Sequence, residues 1–176
     1  MKWEIDAAHS QIQFSVKHLG ISTVRGTFGT FTGTINDLNG TVTGASVDID
    51  IASLTTGSDQ RDGHLKGADF FDVEQFPKAS FMLNRFTQSG EDVTAVGELT
   101  LRGTTRPITL TGEIGGPATD PWGNTKVSAS LNAKISRKEW GLVWNVALEA
   151  GGVLVGDEVK LSIEVQAQPA AVAVAA

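Results

Sequence analysis

A chain of 176 residues is long enough for one domain with a substantial core. Its formal net charge is −6 and its pI about 5.0, and Lys and Arg are scattered in ones and twos (Lys2, Lys17, Arg25, Arg61, Lys66, Lys78), so there is no basic stripe for a nucleic-acid backbone. Cysteine is absent, which excludes disulfides, thiolate metal sites and Cys nucleophiles.

The opening Met1-Lys2-Trp3-Glu4-Ile5-Asp6 has no apolar core segment and no cleavage site of a secretory signal. The longest apolar run, Ala170 to Ala176, is far too short to cross a bilayer. The expectation is a soluble protein with no transmembrane segment, cytoplasmic as the sequence stands. A periplasmic or secreted protein fits the same residues if a signal has been removed.

Period-two alternation then recurs almost from end to end. Ile12, Phe14, Val16 and His18 share one face, and Gln11, Gln13, Ser15 and Lys17 the other. Val24, Gly26 and Phe28 begin a second run that Phe31, Gly33 and Ile35 continue in the opposite phase. The switch at Gly29 reads as a bulge that bends the strand. Ala45, Val47, Ile49 and Ile51 form the next face, opposite Ser46, Asp48 and Asp50.

The stretch Ser58 to Asp72 has no alternation. Ser58 is placed to cap a helix, Asp59 suits its first turn, Asp62 and Lys66 form an i,i+4 pair, and Gly67 ends it. A short helix and a turn carrying Phe70 and Phe71 are expected here, close to one mouth of a barrel.

Strands resume with Phe81 and Leu83, then Val93, Ala95, Gly97 and Leu99. Arg102 to Pro107 reads as a hairpin turn, returning through Ile108, Leu110, Gly112 and Ile114. Val127, Ala129, Leu131, Ala133 and Ile135 form another face, and Val159, Leu161, Ile163 and Val165 the last. About eight long strands with polar outer faces predict an all-β fold closed as an antiparallel barrel, with a short helical insertion. The domain runs over 1–168, followed by an Ala/Val-rich tail over 169–176.

The inward faces are either a filled core or a ligand cavity, since an eight-stranded barrel supports both. Small residues on them (Ala45, Ala95, Gly97, Gly112, Ala129, Ala133) favour a cavity. His9, His18 and His64 lack paired spacing, so no metal site is expected. His18 shares the inward phase near a strand end, suited to meet a ligand's polar head or to bond a buried carbonyl. Arg61 and Asp62 read as groups that pin the helix to the barrel wall by charged hydrogen bonds. No nucleophile with its base is visible, so no catalytic residue is assigned. Trp140 and Trp144, among several glycines, are placed at an end of the cavity.

The segment Trp3-x-Ile5-Asp6-x-x-His9-Ser10-x-Ile12-x-Phe14-Ser15-Val16-Lys17-His18 resembles the start of the YceI-like, polyisoprenoid-binding family. Arg25-Gly26-x-Phe28, Arg61-Asp62-x-His64-Leu65, Asp69-Phe70-Phe71-Asp72 and Phe76-Pro77-x-Ala79-x-Phe81 follow in the family's order. So do Gly97-x-Leu99-Thr100-x-x-Gly103-x-Thr105-x-Pro107, Arg137-x-x-Trp140-Gly141-Leu142 and Asp157-Glu158-Val159. The resemblance spans roughly Trp3 to Val165. It implies a lipocalin-like barrel, often dimeric, that takes a long isoprenoid or similar lipid inside.

The combined expectation is a binding protein for an apolar chain-like molecule, a homodimer, with no cofactor. Its ligand-binding residues are Phe14, Val16, His18, Val24, Phe28, Val47, Ile49, Ile51, Phe70, Phe81, Leu83, Leu99, Leu131 and Trp140. The competing readings are a filled barrel acting as a stress-related interaction protein, and an enzyme on a lipid-like substrate using His18 with Arg25 or Arg61.

Overall fold

The computed structural model describes residues 1–172. Its elements are β1 (Lys2–Ile5), β2 (Gln11–His18), β3 (Ser22–Phe28), β4 (Phe31–Leu38), β5 (Thr41–Asp50), β6 (Leu54–Thr55), α1 (Asp59–Lys66), β7 (Lys78–Ser89), β8 (Asp92–Leu101), β9 (Thr104–Thr119), β10 (Thr125–Ser136) and β11 (Val155–Pro169). The expected tail beyond Val172 lies outside the described residues. Within them Pro169 still pairs with Trp3, and the Ala170 amide donates to the Lys2 carbonyl.

All strands join one antiparallel sheet. β1 and β2 are two halves of one bent strand, because both pair with β11: Ile5 meets Ala167, and Ile12 meets Ile163. β3 and β4 are likewise two halves of the next, pairing with β2 and β1 respectively. Counted this way the sheet is a closed meander of eight strands. β1 closes it, with one edge on β11 and the other on β4. The phase switch at Gly29 is the β3–β4 bend: Phe28 and Phe31 on either side of it are both buried.

Turn chemistry sets the registers. Arg102 and Gly103 both have positive φ, +47° and +71°, giving a two-residue turn whose backbone twist matches the flanking strands. The turn is therefore shorter than the Arg102–Pro107 stretch expected from sequence, and Thr104 to Pro107 already belong to β9. Pro107 is tolerated there because β9 pairs with β10 only from Thr111 onward, so its missing N–H interrupts no ladder on that side.

The buried side chains form two clusters on opposite halves of the ring. One gathers Phe14, Phe28, Phe31, Ile49, Ile51, Leu54 and Ala79. The other gathers Phe70, Ala95, Leu99, Ile108, Leu110, Ala133, Trp140 and Leu142. Inward glycines are covered by neighbours: the Phe14 ring lies over Gly26 across the β2–β3 ladder, and the Phe81 ring lies over Gly97. Gly112 is approached by the Ser130 carbonyl so closely that a methyl there would collide with backbone. Gly97 and Gly112 thus serve close packing, where the sequence had suggested they leave space for a ligand.

α1 is polar on nearly all sides and is held by its connection to β6. Asp62, 7% exposed, accepts from the Thr56 amide at 2.8 Å and the Thr56 hydroxyl at 2.5 Å. Arg61 grips the same residue, Nε donating to the Thr56 hydroxyl at 2.7 Å and Nη2 to its carbonyl at 2.8 Å. Pinning therefore runs to the chain just before the helix, not to the barrel wall. Asp62 Oδ1 takes both Thr56 bonds, and Lys66 reaches the carboxylate only through space. The Ser58 hydroxyl accepts from the Arg61 amide, so the N-cap stands as expected. Burial works to raise the Asp62 carboxyl, and the bonds from Thr56 outweigh it, holding the group below its ordinary value of 3.8.

Two measurements test these packing assignments. Gly112→Ala should destabilise the fold by about 1–3 kcal/mol in thermal or denaturant unfolding, because the intruded atom is backbone. Gly44→Ala, whose methyl would meet nothing nearer than Asn36 Nδ2 at 3.7 Å, should be neutral or slightly stabilising. For Asp62, the lowered value means its charge stabilises the fold fully above pH 3.8, and less as pH falls through the folded-state value. The stability gap between the parent and Asp62→Asn should therefore be widest above that pH and narrow steadily below it.

Candidate functional site

The barrel encloses a cavity of about 1010 Å³ that reaches wall residues at both ends of the strands. That is at the upper end of the roughly 300–1,000 Å³ of small-molecule sites, so the lumen is not filled by side chains.

The inward phases read from sequence form its wall. Phe14, Val16 and His18 contribute from β2, Val24 and Phe28 from β3, and Val47 and Ile49 from β5. Phe81 and Leu83 come from β7, Leu99 from β8, Leu131 from β10 and Phe70 from the turn after α1. Ala45, Ala95 and Ala129 also face the lumen, and there the small side chains do leave space.

Two expected wall residues are elsewhere. Ile51 leaves the β5 phase because Asp50 caps a 3-10 turn, Ile51–Ser53, and the Ile51 side chain packs into the core at 2% exposure. Trp140 sits in the turn Arg137–Trp140 at 1% exposure, packed off the lining among Phe70, Leu99 and Leu142, its indole N–H donating to the Leu99 carbonyl at 2.9 Å. Trp144 is the tryptophan that reaches the cavity.

At one mouth α1 lies across the opening, with Ser58, Gln60, Arg61, His64 and Leu65 on the lining. The His64 ring stands edge-on to Phe70 at 5.1 Å and to Trp144 at 4.7 Å, and its Nε2 is 2.9 Å from Asp69 Oδ2. This aromatic group joins the helix to the segment between β10 and β11. A second aromatic row, Phe14–Phe28–Phe71, runs from the wall to the turn after the helix, with centroids 5.7 and 6.0 Å apart.

Arg137 organises the far side of that mouth. Its guanidinium, on a residue 5% exposed, donates to the carbonyls of Gly156 at 2.8 Å, Leu142 at 2.6 Å, Trp144 at 3.0 Å and Val155 at 3.4 Å. Burial lowers its pKa and Asp157 opposes the shift. Asn145 adds a pair of bonds with Val155, at 2.7 and 3.0 Å. The glycine-rich connection is thus tied at its root, while Gly151 and Gly152 at its tip take positive φ.

At the other mouth lie Met1, Asp37, Gly40, Gln88, Pro117 and Thr125. Asp37 accepts from the Trp3 indole at 3.2 Å and the Gly40 amide at 2.9 Å, and it faces the N-terminal ammonium at 3.3 Å. These contacts, the Trp3 bond foremost, hold its carboxyl below the ordinary range.

His9 lies away from the lumen, bonded to Asp6. Arg25 is on the outer face, paired across the ladder with Ser15, so it does not converge with His18. Among the described residues no three His, Asp or Glu side chains converge on a metal-sized site.

Some wall residues carry no signal in the alternation. Trp3 and Ile5 line the cavity from β1, which is too short to show alternation. Phe86 faces inward because the β7–β8 register shifts between Leu83 and Arg85, reversing the phase. Arg137 follows an alternating run, and nothing in the spacing shows that carbonyls distant in sequence converge on it.

A family profile described as the YceI-like domain matches residues 3–167. A UPF0312 protein of Staphylococcus aureus (strain USA300) is 36% identical over 160 residues, covering 88% of this chain and 90% of that protein. The crystal structure of the Campylobacter jejuni YceI protein superposes with a TM-score of 0.75 at 32% identity, covering 88% of this chain and 90% of that one. A polyisoprenoid binding domain from Saccharophagus degradans shares the fold at a TM-score of 0.70 and 18% identity, over 96% of this chain and 98% of that one. Matched by that profile over residues 3–167 and by relatives more than 30% identical over most of its length, the chain belongs to the YceI-like domain family.

Proposed function

We propose that the barrel binds a polyisoprenoid or a similar long-chain apolar lipid in its lumen, for carriage, storage or sequestration, and performs no chemistry on it. The observation that carries this reading is the lumen itself: one continuous cavity of about 1010 Å³, walled by aliphatic and aromatic side chains, with its charged side chains at the two ends. The Saccharophagus degradans domain of the same fold is described as polyisoprenoid binding.

Desolvation supplies the affinity. Each buried methylene contributes about 0.8 kcal/mol, so a five-carbon prenyl unit contributes roughly 3 kcal/mol before ordering costs. A few units reach micromolar affinity, which needs about −8 kcal/mol, without a strong polar contact. The enzymatic reading loses the pairing of His18 with Arg25, which lies on the outer face, while His18 and Arg61 both line the cavity and Arg61 is engaged with Thr56. A filled barrel is disfavoured by the size of the cavity.

No helix among the described residues is long and apolar enough to cross a membrane. A homodimer is proposed from the family resemblance. Sedimentation at high micromolar concentration should give twice the chain mass of 18.5 kDa, and a monomer there would remove the proposal.

The inside-outside register is tested by neighbouring substitutions on β2. Val16 is on the lining, whereas Ser15 lies outside between its cross-strand partners Arg25 and Lys160. Val16→Phe should obstruct the lumen and lower the lipid retained in native mass spectrometry while the barrel stays folded. Ser15→Glu faces two cations and should change stability by no more than about 0.5 kcal/mol, with lipid retained. The reverse pattern would invert the register. Full retention in both would take the ligand off this strand, and a parent protein that neither carries nor takes up lipid would end the reading.

A further inference from the structure

The two mouths of the cavity differ in charge. At the α1 mouth the wall carries Lys17, His18, Ser58, Gln60, Arg61 and His64, each with a side chain able to donate a hydrogen bond, the Lys17 ammonium being turned to the Thr23 hydroxyl at 3.0 Å. Arg137 places a second guanidinium in the same wall. Among the described residues no carboxylate lines this end. The lining carboxylate, Asp37, is at the opposite mouth, engaged with Trp3 and the N-terminal ammonium. In a chain of formal net charge −6 this sorting runs against composition.

The acids near α1 lie off the lining: Asp72 is buried, and three others are turned to partners. Asp62 holds Thr56, Asp69 faces His64, and Asp157 faces Arg137 and Lys138. Asp59, in the first turn, is exposed and off the lining. Arg61 uses Nε and Nη2 on Thr56, which fixes the orientation of its guanidinium plane. No hydrogen bond engages its Nη1 among the described residues, so a lining cation held by its other two nitrogens keeps N–H groups unused.

We propose that the α1 mouth is a subsite for an anionic head group, a carboxylate or a phosphate ester, borne by the ligand whose apolar chain lies in the lumen. This rests on the lipid-binding reading above. An anion at the mouth keeps part of its hydration while it gains a charge-assisted bond from a guanidinium already held in place. A cationic head group would meet like charge there. A neutral hydroxyl would bond without the charge.

The probes are four ligands with one sixteen-carbon chain: hexadecanoic acid, hexadecyl phosphate, hexadecanol and hexadecylamine, titrated into the purified protein at neutral pH. At least one of the two anions should bind about tenfold tighter than hexadecanol, and hexadecylamine more weakly than either anion. The tighter anion identifies the head as carboxylate or phosphate. Arg61→Gln should lower the anion-to-alcohol ratio several-fold, and Arg61→Lys should keep most of it. Thr56→Val, which loosens the helix without changing charge and leaves the carbonyl that Arg61 Nη2 holds, should also keep most of it. Equal affinity for hexadecanol and both anions, or strongest binding of the amine, would overturn the subsite. A ratio lost equally in Thr56→Val and Arg61→Gln would assign Arg61 to holding the helix alone and overturn it too. If none of the four probes binds, the lipid-binding reading itself falls.

Discussion

Everything in this molecule depends on closure of the hydrogen-bond ladder by one short strand. β1 places one edge on β11 and the other on β4, and with β2 it completes the ring. A sheet of this size left open would present unpaired backbone at its outer strands. Closed, it turns the period-two alternation of every strand into a radial distinction between lumen and solvent. The bends between β1 and β2 and between β3 and β4 make this possible, since each half-strand then follows its own neighbours.

Within the ring, packing and vacancy are divided between residues of similar size. Gly26 and Gly97 are covered by the rings of Phe14 and Phe81, so these positions are as dense as a core. Ala45, Ala95 and Ala129 face the lumen. The two buried clusters stiffen opposite walls, and the lumen lies between them. Such walls hold the cavity against collapse, because close-packed side chains transmit strain instead of yielding to it.

The α1 mouth is built from two polar anchors of the same logic. Thr56 ties the helix through Arg61 and Asp62, and Arg137 ties the opposite segment through four carbonyls. Buried charges are costly unless their bonding capacity is met, and both sites meet it chiefly with backbone and hydroxyl groups. The His64–Phe70–Trp144 contacts then join the two anchored pieces across the opening. Fold alone does not say what such a barrel binds. The lining and the chemistry of the mouth carry that information.

The sequence by itself determined the fold class, the inward phase of most strands, the N-cap of the helix at Ser58 and the bend at Gly29. These are local properties: alternation, capping and turn chemistry act within a few residues and leave a periodic trace. The ordered family motifs added the expectation of a ligand, which alternation alone left open. Tertiary structure decided the rest. Ile51 departs from its strand because the Asp50 cap redirects the chain, and Trp140 is drawn into a buried cluster, its indole held by a carbonyl of β8. Phe86 turns inward after a register shift that depends on β8, and Arg137 takes its role from carbonyls five to nineteen positions away. Whether the lumen is open was likewise out of reach of the sequence. It depends on how far apart eight closed strands hold their side chains, a distance set by pairing between segments remote in the chain.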